Sequence, residues 1–176
     1  TQIRSSAASD VYKRQNLEYP GGPKVSKLAE SGDPQRFNFP RALMKEKNLS
    51  FSFSGLKTSV LYALNDLKEE DYPDVAASFQ EAVIDVLTKK LAFAVEQTGI
   101  KKLVCSGGVA ANKLLRERLT EMANQSSLEV SYPTMEFCTD NAAMIAYAGF
   151  IRKKYNLKKY STAYARPRWP LGELYD

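Results

Sequence analysis

The sequence predicts an α/β fold built with crossover connections, and three observations carry that expectation. Apolar residues recur at helical spacing through Val75, Phe79, Val83, Val86, Leu87, Leu91, Ala94 and Val95, which is the buried stripe of one long helix. Two short apolar runs, Leu103-Val104-Cys105 and Leu128 to Tyr132, have the length and composition of strands. Each run is succeeded by another helical pattern, Leu115, Leu119 and Met122 after the first and Asn141 to Tyr155 after the second. Helix, strand, helix, strand, helix is the order that gives parallel pairing through a crossover.

The other elements come in chain order. Residues 1–15 are polar, rich in Ser and Ala, and show no periodicity. They read either as a frayed terminus or as sequence foreign to the protein, and their discontinuity with the chain beyond residue 15 favours the second. Tyr19-Pro20-Gly21-Gly22-Pro23 reads as a tight turn, because proline presets φ and glycine opens conformations closed to other residues. A short helix is expected over Lys24 to Glu30. Phe37 to Pro40 and Leu49 to Phe53 bunch aromatic and apolar residues as strands do. Leu56, Val60, Leu64 and Leu67 predict an amphipathic helix from Leu56 to Lys68. Asp71 and Pro73 read as cap and first-turn proline of the long helix, and Gly99 as its stop. There is no internal repeat.

Composition bounds the answer without choosing it. A chain of 176 residues suits one compact domain or one lobe of a two-lobed enzyme. No apolar run approaches the ~20 residues that span a bilayer, and no signal-peptide core is visible, so the expected location is the cytoplasm or an organelle matrix. Cys105 and Cys138 lack CxxC spacing and read as free thiols of a reducing compartment. A net charge of +5 is compatible with a polyanion such as RNA without requiring one. The chain contains no histidine.

Four segments could carry chemistry. Ser106-Gly107-Gly108 turns from strand to helix, where glycines let backbone approach a ligand and free N–H groups meet an anion. Packing alone can require such a turn. Asn112, one turn further on, reads as a sugar or base contact or as an ordinary helix-start residue. Asp140 stands at the mouth of a helix, as a metal-binding carboxylate or as an N-cap; one carboxylate cannot hold a transition metal by itself. Lys57 opens a helix and reads as a phosphate or RNA contact or as a solvated lysine. Near the C-terminus Arg152, Lys153, Lys154, Lys158, Lys159, Arg166 and Arg168 interleave with Tyr155, Tyr160, Tyr164 and Trp169. Cations among aromatics suit a phosphate backbone with unstacked bases, or simply form a basic face.

Taken in order, YPGGP (Tyr19–Pro23), FSFSGLKT (Phe51–Thr58), SGGVAAN (Ser106–Asn112), CTDNAAMIAYAG (Cys138–Gly149) and RPRWPLGEL (Arg166–Leu174) closely resemble the C-terminal half of the TsaD family, the tRNA N6-adenosine threonylcarbamoyltransferases of bacterial or mitochondrial type. The resemblance covers roughly residues 16–176. It implies the ASKHA fold of actin, Hsp70 and sugar kinases, of which these residues form the C-terminal lobe. It implies transfer of the threonylcarbamoyl group from threonylcarbamoyl-adenylate to N6 of adenosine 37 in tRNAs reading ANN codons, with release of AMP. It assigns adenylate contacts to Gly22 and Asn112 beside the Gly107-Gly108 turn, and metal ligation to Asp140. Lys57, Arg166 and Arg168 become candidate tRNA contacts. The implied cofactor is one divalent metal, iron or zinc, and the implied partners include helper subunits of the tRNA-modifying machinery.

The departures from the family bear on activity. Its two metal-binding histidines, in an HxxxH helix, and its glycine-rich substrate loop belong to the N-terminal lobe, which this sequence lacks. A family aspartate upstream of YPGGP is missing, and Ser26 stands where some members carry an acid. The expectation is therefore a lobe that is inactive alone. The alternative is a non-catalytic ASKHA scaffold, against which the retention of Asp140, Asn112 and the paired glycines argues. A protease reading finds no HExxH pattern, and a kinase or ATPase reading leaves CTDNAAMIA and RPRWP without a role.

Overall fold

The structure, a computed structural model, describes residues 21–157. The readings of residues 1–15 and of the segment holding Arg166 and Arg168 lie outside the described residues. The chain divides into two units, residues 1–139 and residues 140–176.

Helix α1 (Gly21–Ala29) begins the described part of the first unit. The expected turn over Gly21-Gly22-Pro23 is instead the first turn of this helix, which starts three residues earlier than the pattern suggested. Proline is tolerated there because a first-turn N–H has no helical partner to lose. Helix α2 (Ser54–Ala63) stops short of the predicted Lys68. Leu64 is still buried beyond its end, so the apolar spacing continued past the helix and misled the boundary.

Helix α3 (Tyr72–Thr98) organises the unit. Pro73 sits in its first turn and Gly99 ends it at φ 68°, with the Gly99 N–H donating to the Val95 carbonyl. Asp71 holds the position before the helix without capping it through its side chain. Its carboxylate instead accepts from the Lys68 N–H and pairs with Arg36. Val75, Ala76, Ala77, Ser78 and Phe79 are all buried. Five consecutive residues sweep the full circumference of a helix, so neighbours surround this stretch rather than cover one stripe. The predicted stripe held for Val75, Phe79 and Val86, missed Ala76, Ala82 and Ile84, and overstated Val83, Leu87 and Leu91, which are half-buried.

Two apolar clusters meet along α3. The first joins Val25 and Ala29 of α1, Leu56 and Val60 of α2, and Phe39 with Val75 to Ala82. The second joins Ile84 to Leu115 and Leu119 of helix α4 (Lys113–Ser126), with Leu87, Cys105, Val130 and Tyr132 packed against them. Strands β1 (Lys102–Val104) and β2 (Glu129–Ser131) pair in parallel, Leu103 opposite Val130, with α4 as the crossover. This is the α/β order the sequence predicted. The strand over Leu103 to Cys105 is not the buried one expected, because Val104 is 79% exposed on the far face of the sheet.

Phe37 to Pro40 and Leu49 to Phe53 are not strands. A strand needs a neighbouring backbone to pair with, and here the Phe37 N–H is taken by the Ser78 hydroxyl. Phe37 and Phe39 stack with centroids 5.8 Å apart, and Phe39 enters the first cluster. The aromatics therefore cover helices, not a sheet.

Ahead of them, residues 31–36 clamp the start of α3. The Asp33 N–H and the Arg36 guanidinium both donate to Asp74, at 2.7 and 2.6 Å, and Arg36 also reaches Asp71. Gly32 lies so close that a Cβ there would stand 2.0 Å from the Pro73 carbonyl oxygen. Gly32→Ala therefore forces backbone apart, and we expect a loss of roughly 1–3 kcal/mol in a urea titration. The clamp also sets acid sensitivity. The hydrogen bond from Arg36, then that from the Asp33 N–H, holds the Asp74 carboxyl below its usual range. The unfolded chain thus takes up the proton first. This contribution is complete above the ordinary carboxylate pKa of about 4 and is lost as pH falls through the lower, folded value. Thermal melts from neutral into acid should show that loss, and Arg36→Ala should flatten it.

Candidate functional site

The Ser106-Gly107-Gly108 turn leaves the end of β1. Gly107 has φ 88°, a backbone region that L side chains rarely adopt, so glycine is required there by conformation. A single 3-10 turn over Gly108–Ala111 comes next, and α4 starts only at Lys113. The turn is therefore not a direct strand-to-helix junction. Asn112, expected one turn inside the helix, is its N-cap: its Oδ1 accepts from the Leu115 N–H at 3.0 Å.

The other half of the Asn112 amide is also engaged. Nδ2 donates to Gln80 Oε1 at 2.7 Å and to Ser26 Oγ at 3.0 Å. One side chain thus ties α4 to α3 and α1, the last of these 86 residues away in sequence. Ser26 lies one turn along α1 from Gly22, so the structure brings Asn112, the Gly107-Gly108 turn and the α1 segment that carries Gly22 into one group. A Cβ at Gly22 or Gly108 would meet nothing within 4 Å. Unlike Gly32, these two glycines are not demanded by packing within the described residues, which leaves room for a ligand to approach their backbone.

Arg116, which sequence reasoning passed over, fastens the turn to the segment after β2. Its Nε donates to the Ala110 carbonyl at 2.6 Å, and one terminal nitrogen reaches the Pro133 carbonyl at 2.9 Å and Cys138 Sγ at 3.2 Å. The guanidinium also lies 4.8 Å from the centroid of the Tyr132 ring. Cys138 is buried and Cys105 half-buried, both as free thiols, and burial pushes the Cys105 thiol up. Gln80 and Glu81 were missed as well, though a signal existed: two polar residues interrupt the apolar run of α3 on faces that had to be covered. Glu81, buried, pairs with Arg118 at 2.6 Å.

Asp140 belongs to the second unit, where it is exposed. Helix α5 (Ala142–Lys154) is capped by Asn141, whose Oδ1 accepts from the Met144 N–H at 3.0 Å. That settles one of the two readings of Asp140, which stands before the cap and does not serve as it. Along α5, Ile145, Tyr147 and Phe150 are exposed, and Arg152, Lys153 and Lys154 fill its last turn, where cations suit the helix dipole. Lys57 stands in the first turn of α2, half-buried. Among the described residues no three His, Cys, Asp or Glu side chains gather as a metal site would need. No described helix is long and apolar enough to cross a membrane.

The family model for TsaD, the tRNA N6-adenosine threonylcarbamoyltransferase, matches residues 2–147. That span contains Gly22, Lys57, Gly107, Gly108, Asn112 and Asp140. A curated tRNA N6-adenosine threonylcarbamoyltransferase from Herminiimonas arsenicoxydans is 46% identical over 165 residues, covering 90% of this chain and 48% of the relative. The chain spans about half the length of that relative.

Because Asn112 closes three helices together, its loss should be felt in the fold itself. We expect Asn112→Ala to cost roughly 1–2 kcal/mol, read from the midpoint of chemical unfolding.

Proposed function

The chain belongs to the TsaD family of tRNA N6-adenosine threonylcarbamoyltransferases, and from that premise we propose that it forms the C-terminal, nucleotide-holding lobe of an ASKHA-fold enzyme. The reaction is transfer of a threonylcarbamoyl group from threonylcarbamoyl-adenylate to N6 of adenosine 37 in tRNAs reading ANN codons. The adenosine amine attacks the carbamoyl carbonyl, a carbon–nitrogen bond forms, the bond to the phosphate oxygen breaks, and AMP leaves with the electron pair while the amine loses a proton.

The observation that supports this reading most is the convergence of Asn112, the Gly107-Gly108 turn and the Gly22 segment of α1. Glycines that packing does not demand, beside a polar side chain fixed at a helix N-cap, suit a nucleotide lying across the ends of several elements. The work assigned to these residues is positioning: they hold the adenylate so that its carbonyl is presented to a weakly nucleophilic amine. Arg116 braces the same turn from behind, through Ala110 and the segment that leads to Cys138.

The family implies iron or zinc. The described residues do not make such a site, since they hold no cluster of three donors and the chain has no histidine. We propose Asp140 as one carboxylate donor to a site completed by groups beyond the described residues. The partners we propose are tRNA, met by Lys57, Arg166 and Arg168, and helper subunits of the modification machinery, in the cytoplasm or a mitochondrial matrix.

The test is transfer activity on an ANN-reading tRNA by the full-length protein. Asp140→Ala should abolish formation of threonylcarbamoyladenosine while the melting temperature holds, because Asp140 is exposed and does not cap α5. Unchanged activity would remove Asp140 from the site.

A further inference from the structure

The Asn112 amide has a determined orientation. The Leu115 N–H can only donate, so the atom 3.0 Å away is the Asn112 oxygen and the opposite atom is Nδ2. Nδ2 in turn can only donate, so the Gln80 atom at 2.7 Å is its carbonyl Oε1, and Ser26 Oγ accepts the second proton. Both Asn112 donors and one oxygen lone pair are then engaged inside the protein. What remains is the second lone pair of Oδ1, on a side chain that is only half-buried.

We propose that Gln80 is a positioning residue that, together with the Leu115 N–H, holds Asn112 as a hydrogen-bond acceptor toward the nucleotide. An acceptor cannot serve a phosphate oxygen, which also accepts; the donors an adenylate offers are the adenine amine and the ribose hydroxyls, of which Asn112 takes a hydroxyl. Gln80 thereby makes the site selective for a ribose over a deoxygenated sugar. The local sequence of Asn112 carries only half of this, because Gln80 is 32 positions away on α3. The inference rests on the reading of Asn112 as an adenylate contact.

Sugar discrimination tests it, measured in the full-length protein as the ratio of dissociation constants for AMP and 2′,3′-dideoxy-AMP. The unaltered protein should prefer AMP by roughly tenfold, the worth of one good hydrogen bond. Gln80→Ala leaves the amide held only by the Leu115 N–H and Ser26, able to shift from its place beside the ligand, and the preference should fall to about twofold or less. Gln80→Glu keeps an acceptor for Nδ2 and should preserve the preference. A merely structural Gln80 would weaken both nucleotides alike and leave the ratio at its original value, which overturns the proposal. Asn112→Ala separates the two layers. If it leaves AMP affinity and the ratio intact, the adenylate reading of Asn112 falls and this inference with it. If it removes the preference while Gln80→Ala does not, only the role of Gln80 falls.

Discussion

The burial of residues 75–79 of α3 on all sides is the constraint on which the first unit depends. A helix so enclosed cannot leave its polar side chains in water, and an unpartnered buried polar group costs about 1–3 kcal/mol, a charge several more. The buried polar residues of α3, Ser78, Glu81 and Lys90, therefore recruit partners from elsewhere. Ser78 accepts from the Phe37 N–H and donates to the Asp33 carbonyl. Glu81 takes Arg118 of α4. Lys90, 1% exposed, donates to the Glu46 carbonyl and to both the backbone and side-chain oxygens of Asn48. These obligations set where the irregular segment between α1 and α2 lies, more than any regular structure of its own.

The candidate site is a by-product of the same demand. Gln80, next to the buried stretch, holds Asn112, and Asn112 holds Ser26. Arg116 does for the other side of the Gly107-Gly108 turn what Gln80 does for this one, joining it to the backbone of Pro133 and the thiol of Cys138. The Gly107-Gly108 turn makes few contacts of its own, so its rigidity comes from groups around it.

Part of this site was legible in the sequence. Paired glycines after an apolar run marked a backbone turn, and Gly107 has the positive φ that such a pair signals. Asn112 was visible as a residue of interest, but not as an N-cap, because the 3-10 turn between glycine and helix has no clear sequence signature. Arg116 was not visible, and neither the place of Ser26 nor the polarity of Gln80 said what they hold. Each looks like an ordinary helix-surface residue, and only the approach of another helix gives it a role. The same applies to Gly32, whose need for glycine comes from a carbonyl 41 residues on and not from its own φ.

By itself, the sequence determined what depends on neighbours along the chain. The alternation of helix and strand from α3 to α5, the proline near the start of α3, the left-handed stop at Gly99 and the place of β2 all arise from periodicity and capping, which act within a few residues. Only the tertiary structure decided what depends on a partner. Phe37 to Pro40 has the composition of a strand yet forms none, because its backbone meets a serine hydroxyl where a strand would need another strand. The start of α1 at Gly21 was likewise beyond reading from Gly-Gly-Pro, which suits a turn equally well. Hydrogen bonds between distant residues are settled by which surfaces pack, and packing is a property of the whole chain.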